Sequence, residues 1–171
     1  MTLFLISRAV HVLLAAIWFG AVVANIFFFV PAVQEAKAAG GQVMAILMRR
    51  GYATFLTAIS GVVALSGFYL YYHLTQGFDP TASASMPARV IGTGAVAGLI
   101  ASVVGPMFVG RAIKKVSAIM AEAGPMADGA AKAALLQQAG ALQASSILWS
   151  KITLALMTVA LVTMSIGHYV G

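Results

Sequence analysis

The sequence predicts an all-α integral membrane protein, a four-helix bundle with both termini outside. Three observations carry this. Of 171 residues, 61% are hydrophobic and 8% are charged, against about 25% charged in a soluble domain. Four apolar stretches are each long enough to cross a hydrocarbon core of about 30 Å at about 1.5 Å per residue. The basic residues are distributed unevenly between the connections that separate those stretches.

The first apolar stretch covers residues 3–30, with Pro31 marking its end. It exceeds a signal-peptide core of about 7–15 residues and reads as a retained spanning helix. A polar connection follows, in which Gly40–Gly41 is expected to interrupt any continuous helix. The second stretch covers 52–74, and a turn-rich loop with two prolines leads to the third, 88–110. Gly105–Pro106 should kink or loosen that third helix. Residues 111–146 form an Ala-rich connection that Gly124–Pro125 should split into two helical pieces, continuous with the third helix and the fourth. The fourth stretch is 147–169, and the whole chain, 1–171, reads as a single transmembrane domain. Gly94, Ala97, Gly98 and Ala101 set small residues four apart on the third helix, a pattern that lets helix backbones approach closely.

Orientation follows from the tendency of Lys and Arg to collect in cytoplasmic loops. Lys37, Arg49, Arg50, Arg111, Lys114, Lys115, Lys132 and Lys151 fall on one side, leaving Arg8 and Arg89 on the other. Eight against two places both termini outside a bacterial inner membrane, with a partly helical cytoplasmic loop between the third and fourth helices. Trp149 beside Lys151 fits an interfacial anchor.

That topology brings His11, His73 and His168 to the outer half of the membrane, each from a different helix. Ionisable residues there are rare and tend to be functional. His73 and His168 end outward-running helices and should be nearly level. His11 should lie roughly 12 Å below the outer edge. His11, Trp18 and Asn25 recur every seven residues on one face, and Met157, Met164 and His168 share another. Two thioethers and an imidazole in line suit Cu(I), which favours soft ligands. Arg8, one turn above His11, and Arg89, at the start of the third helix, could pair with haem propionates or another carboxylate.

Other chemistry finds little support. The absence of cysteine excludes disulfides, thiolate metal sites and cysteine nucleophiles. No phosphate-binding glycine loop is present, and the acidic residues fall in loops, which argues against a carrier driven by membrane-embedded carboxylates. The formal charge of +6 is a topology signal and does not point to nucleic acid.

The stretch Arg8-Ala-Val-His11-Val-Leu-Leu-Ala-Ala-Ile-Trp18-Phe-Gly20 resembles the first-helix signature of the copper-resistance D (CopD) family. The second helix, led by Arg49-Arg50 and reaching Ser66-Gly67, is similar to that family's next helix. The same outline resembles the HemJ family of four-helix, haem b-binding membrane proteins that oxidise protoporphyrinogen. The resemblance lies mainly over residues 8–75. It implies a role for His11, with Trp18 and Gly20 packing around it. The HemJ pattern has a lysine early in the third helix and a histidine later. Here Arg89 stands near the first position and Gly105–Pro106 near the second.

Three assignments stay open at this level. The leading one is copper handling or transport through His11, His73, His168, Met164 and Met157, supplied by a periplasmic metal donor. Another is a b-type haem protein, in which His73 and His168 or His11 alone ligate iron, Arg8 and Arg89 bind the propionates, and a redox partner is implied. Only with haem would the protein be an oxidoreductase. The third is a non-catalytic subunit packed into a homodimer or larger membrane complex, its partners being lipid and protein.

Overall fold

The computed structural model describes residues 2–170 and, of Lys37 and Ala38, the backbone only. Every element among the described residues is helical. Four helices are long and apolar enough to cross a membrane: α1 (Thr2–Glu35), α3 (Tyr52–Leu74), α5 (Met86–Ala123) and α6 (Ala130–Tyr169). Between them lie α2 (Lys37–Arg49) and the short α4 (Pro80–Ala84). The chain is therefore a multi-pass membrane protein by the length and composition of its helices. Its large exposed side chains, such as Leu65 (75%) and Phe28 (68%), are what lipid-facing surfaces require.

Two sequence expectations are corrected. Pro31 does not end α1, which runs on to Glu35 through a π-turn at Asn25–Phe29. A proline lacks the N–H of the usual i→i−4 bond, and its ring crowds that carbonyl. The wider π-turn just before it relieves both demands. Pro106 is absorbed in the same way, inside the π-turn Gly105–Gly110 of α5. Nor do Gly40 and Gly41 interrupt α2. Gly40 is buried, and a Cβ there would run into the backbone of Val33, so it permits α2 to fold back closely on the end of α1. The break comes at Gly51, whose φ of 81° is the left-handed conformation that closes α2 and starts α3. Two of the later helices, α4 and α5, start on side-chain caps. Asp79 Oδ1 accepts from the Ala82 amide at 2.9 Å, and Ser85 Oγ from the Ala88 amide at 3.4 Å.

The long helices pack antiparallel in the order α1, α3, α5, α6. The α1–α3 register is fixed by three contacts: Phe4 with His73, His11 with Ser66, and Asn25 with Tyr52. The α5–α6 register is set by Gly94 at Thr163, Gly98 at Ala160 and Gly105 at Thr153. Packing between α6 and α1 is the sparsest of the four seams. One layer takes a residue from every long helix: Trp18, Ile59, Ala101 and Met157, all buried. At the opposite end from the termini, Phe108 stacks on Trp149, with centroids 4.1 Å apart and 15° between planes.

Candidate functional site

Above the Trp18 layer the helices diverge around a cavity of about 1200 Å³. Arg8, His11, His73, Arg89, Met157, Met164 and His168 all line it. The depth of each follows from its distance along its helix to the Trp18 layer, at about 1.5 Å per residue. His11 and Met164 are each seven residues up, about 10 Å. Arg8 and His168 come next, at about 15 and 16 Å, and Arg89 at about 18 Å. His73 is outermost, at about 21 Å. His11 and Met164 therefore stand at one depth on either side of the loosest seam. A ring of Arg8, Arg89 and His168 lies above them.

His11 is the most constrained of these groups. Its Nδ1 is 3.0 Å from the carbonyl oxygen of Val63 and 3.1 Å from Ser66 Oγ. A carbonyl can only accept, so Nδ1 carries the proton. The Ser66 hydroxyl donates to Val62 O at 2.7 Å, leaving its oxygen free to accept from the same imidazole N–H. In the neutral ring Nε2 then holds a lone pair. It has no hydrogen-bond partner among the described residues, and no buried side-chain nitrogen or oxygen among them is left unpartnered. Nε2 is therefore accessible from the cavity side of the ring. Gly67 makes this possible: a Cβ there would lie 2.8 Å from His11 Cε1 and 3.3 Å from Nδ1. An imidazole held through Nδ1–H by a backbone carbonyl is the arrangement that orients a histidine for ligation through its other nitrogen.

The remaining histidines differ. His73 is exposed and packs edge-on among Phe4, Tyr69 and Tyr72, with the Tyr69 centroid 4.5 Å away. His168 is exposed, in the 3₁₀ turn Gly167–Tyr169 that ends α6. Among the described residues no three His, Cys, Asp or Glu side chains converge to hold a metal ion. The three histidines thus share a cavity without forming one ligand set, because His11 lies about 10 Å below His73. Met157 is 6% exposed and packs in the layer with Trp18. Gly20 does not pack around His11: a Cβ at that position would meet nothing within 4 Å. Trp18 serves as floor, two turns deeper.

The mouth of the cavity carries a feature that residue type alone conceals. Gln76, Gly77 and Phe78 have successive φ values of 51°, 81° and 63°. A left-handed Phe is uncommon. Fully buried Thr75 holds the turn: its hydroxyl donates to Tyr71 O at 2.9 Å and accepts from the Phe78 amide at 3.2 Å. Phe78 is thereby laid over Phe68 and Tyr72, at 5.8 and 5.5 Å between centroids, where it lines the cavity.

Sequence reasoning found His11 but missed its support, the Val63 carbonyl and Gly67. The signal was available in the antiparallel register, which sets Ser66-Gly67 opposite His11 once Asn25 is paired with Tyr52. No protein-family model matches the chain, and no curated protein or solved structure is significantly similar to it.

Proposed function

We propose that this protein binds b-type haem in the cavity and acts as a membrane redox protein, with His11 Nε2 as an iron ligand. One observation carries the reading. The His11 imidazole, fixed through Nδ1–H to Val63 O, leaves Nε2 without a hydrogen-bond partner beside a large apolar cavity. Met164, at the same depth, and His168, one turn higher, also line the cavity and would be further candidates to hold the iron. Arg8 and Arg89 stand above His11, where their guanidinium groups suit two carboxylates. In the cavity wall Gly67 makes room for the His11 ring and Gly92 for the Tyr71 hydroxyl. Trp18 and Met157 close the floor and keep water from entering by the basic end. Bound haem would supply one-electron redox chemistry, tuned by its axial ligands and the polarity of the pocket. The charge distribution supports the cavity end as the outer face of a bacterial inner membrane, with a redox partner on that side.

The test is an oxidised and dithionite-reduced visible spectrum of protein purified from haem-replete cells. A Soret band with sharpened α and β bands on reduction is expected, lost in His11→Ala. A featureless visible region sinks the proposal. One observation favours a second reading, Cu(I) handling. Met157, Met164 and His168 line the cavity along a single helix, a soft-donor series. Cu(I) titration of the haem-free protein tests it, with Met164→Leu expected to weaken binding.

A further inference from the structure

At the opposite end from the histidines a second, smaller cavity of about 220 Å³ lies between α5 and α6. Its walls include Arg111, Lys115, Ser145, Trp149 and Phe108. Arg111 and Lys115 are four residues apart, so they project from the same face of α5. Neither has a carboxylate partner, since the one ion pair among the described residues joins Lys132 to Asp128. Two unpaired cations share a small concavity with a hydroxyl, where an oxyanion would satisfy all three.

Depth says which kind of oxyanion. Arg111 is the first charged residue after the apolar run of α5, and Lys151, just beyond Trp149, is the last charged residue of α6, in the first turn of its apolar stretch. The cavity therefore sits where the spanning segments meet the headgroup region. The stacked Phe108 and Trp149 form its wall at a level where aromatic rings gather at membrane interfaces. Met107 (42% exposed), just on the apolar side, and Leu148 (58%), level with Arg111, offer surface to acyl chains. A soluble anion would use the cations and ignore that surface. A phospholipid uses both.

We propose that this cavity is a binding site for an anionic phospholipid. The Arg111 guanidinium and the Lys115 ammonium contact the phosphodiester, Ser145 donates to it, and the acyl chains lie along Met107 and Leu148. Arg111 supplies a planar fork suited to two phosphate oxygens, and Lys115 adds a point charge. The site is separate from the histidine cavity and does not depend on what binds there.

The experiment is native mass spectrometry of the full chain released from nanodiscs containing equal phosphatidylglycerol and phosphatidylcholine. Wild-type protein should retain phosphatidylglycerol preferentially. Arg111→Gln with Lys115→Gln should cut that retention about thirtyfold, and Lys115→Gln alone about fivefold. Arg50→Gln with Lys114→Gln removes the same charge from the same end and should change retention less than about twofold, by the locality of the contact. Equal losses in the two double variants would reduce the effect to general surface charge and overturn the site. Displacement of the lipid by an equal concentration of inorganic phosphate would make it a soluble-anion site and overturn the lipid assignment.

Discussion

Replacing Gly67 by Ala tests the support of His11 directly, and the structure sets the size of the effect. The new methyl carbon would lie 2.8 Å from His11 Cε1. Favourable carbon–carbon contact needs about 3.5–4.0 Å, so the ring must move by roughly 1 Å. That motion weakens the Nδ1 bond to Val63 O, now 3.0 Å long. Losing that bond costs about 0.5–1.5 kcal/mol, and overpacking adds about 1–3 kcal/mol. Ala in place of Gly in a helix returns about 1 kcal/mol. The net destabilisation should be about 1–3 kcal/mol. In a His11→Ala background the obstructing ring is gone, so Gly67→Ala should be neutral or stabilising by up to about 1 kcal/mol. The coupling between the positions should be on the order of 2 kcal/mol.

Reversible unfolding of the four cycle members in mixed micelles measures this without any cofactor. The cycle separates steric support of the imidazole from whatever the imidazole binds. If Gly67→Ala costs the same with and without the ring, within about 0.5 kcal/mol, Gly67 does not shape the His11 site. The hold of Val63 O on Nδ1–H would then not depend on the space at Gly67.

Three further outcomes follow from the packing and the charges. Trp18→Ala should destabilise by about 3–5 kcal/mol, because Trp18 is 6% exposed in the layer where all four long helices meet; Met157→Leu should cost under about 1.5 kcal/mol, and a larger loss in the same unfolding assay would mean that Met157 does more in the layer than fill volume. Gly94→Ala should separate α5 from α6, since its Cβ would meet the Thr163 hydroxyl and lie 3.1 Å from Ala160 O, whereas Gly98→Ala meets only a methyl at 3.8 Å; thermal melts should show a loss for the first of about 1–3 kcal/mol and none for the second. The Lys132 ammonium, hydrogen-bonded to Asp128 at 2.8 Å, holds that carboxyl below its ordinary range. A depressed carboxylate contributes stability above its unfolded pKa and loses it as pH falls through the folded value. Since Asp128 is fully exposed, stability should be flat from neutral pH to about pH 5, and Asp128→Asn should leave a melting curve at about pH 7 unmoved.

The spanning helices were legible because a membrane permits few alternatives. An apolar run of some twenty residues must satisfy its own backbone, and a helix is the solution. The start of α3 at Tyr52 and its end at Leu74 could be read to the residue, since Gly51 and the Thr75–Asp79 turn mark them. Pro31 and Gly40 misled for a common reason. Each was weighed by its intrinsic effect on a regular helix, and each was overridden by a neighbour. A π-turn ahead of Pro31 removes the conflict of that proline, and the Val33 backbone beside Gly40 turns a weak helix former into a close contact. Propensity is local, and both outcomes were decided by what lay across the fold or one turn away.

The site divides along the same line. That His11, Arg8, Arg89, Met164 and His168 should share a region follows from topology and the rise of a helix, both of which the sequence carries. Which nitrogen of His11 is protonated does not follow, because it depends on a carbonyl 52 residues away and on the absence of a side chain at Gly67. Nor does the separation of the three histidines into three depths exclude a shared ligand; it excludes one small ion bound by all three at once. His11 and Met164, equal in depth above the Trp18 layer, are the pair that a ligand spanning the cavity would meet together. Under the haem proposal, His11 and Met164 are the residues that would hold the cofactor. Its carboxylates would then rise toward Arg8 and Arg89, one to two turns higher by the same helical rise.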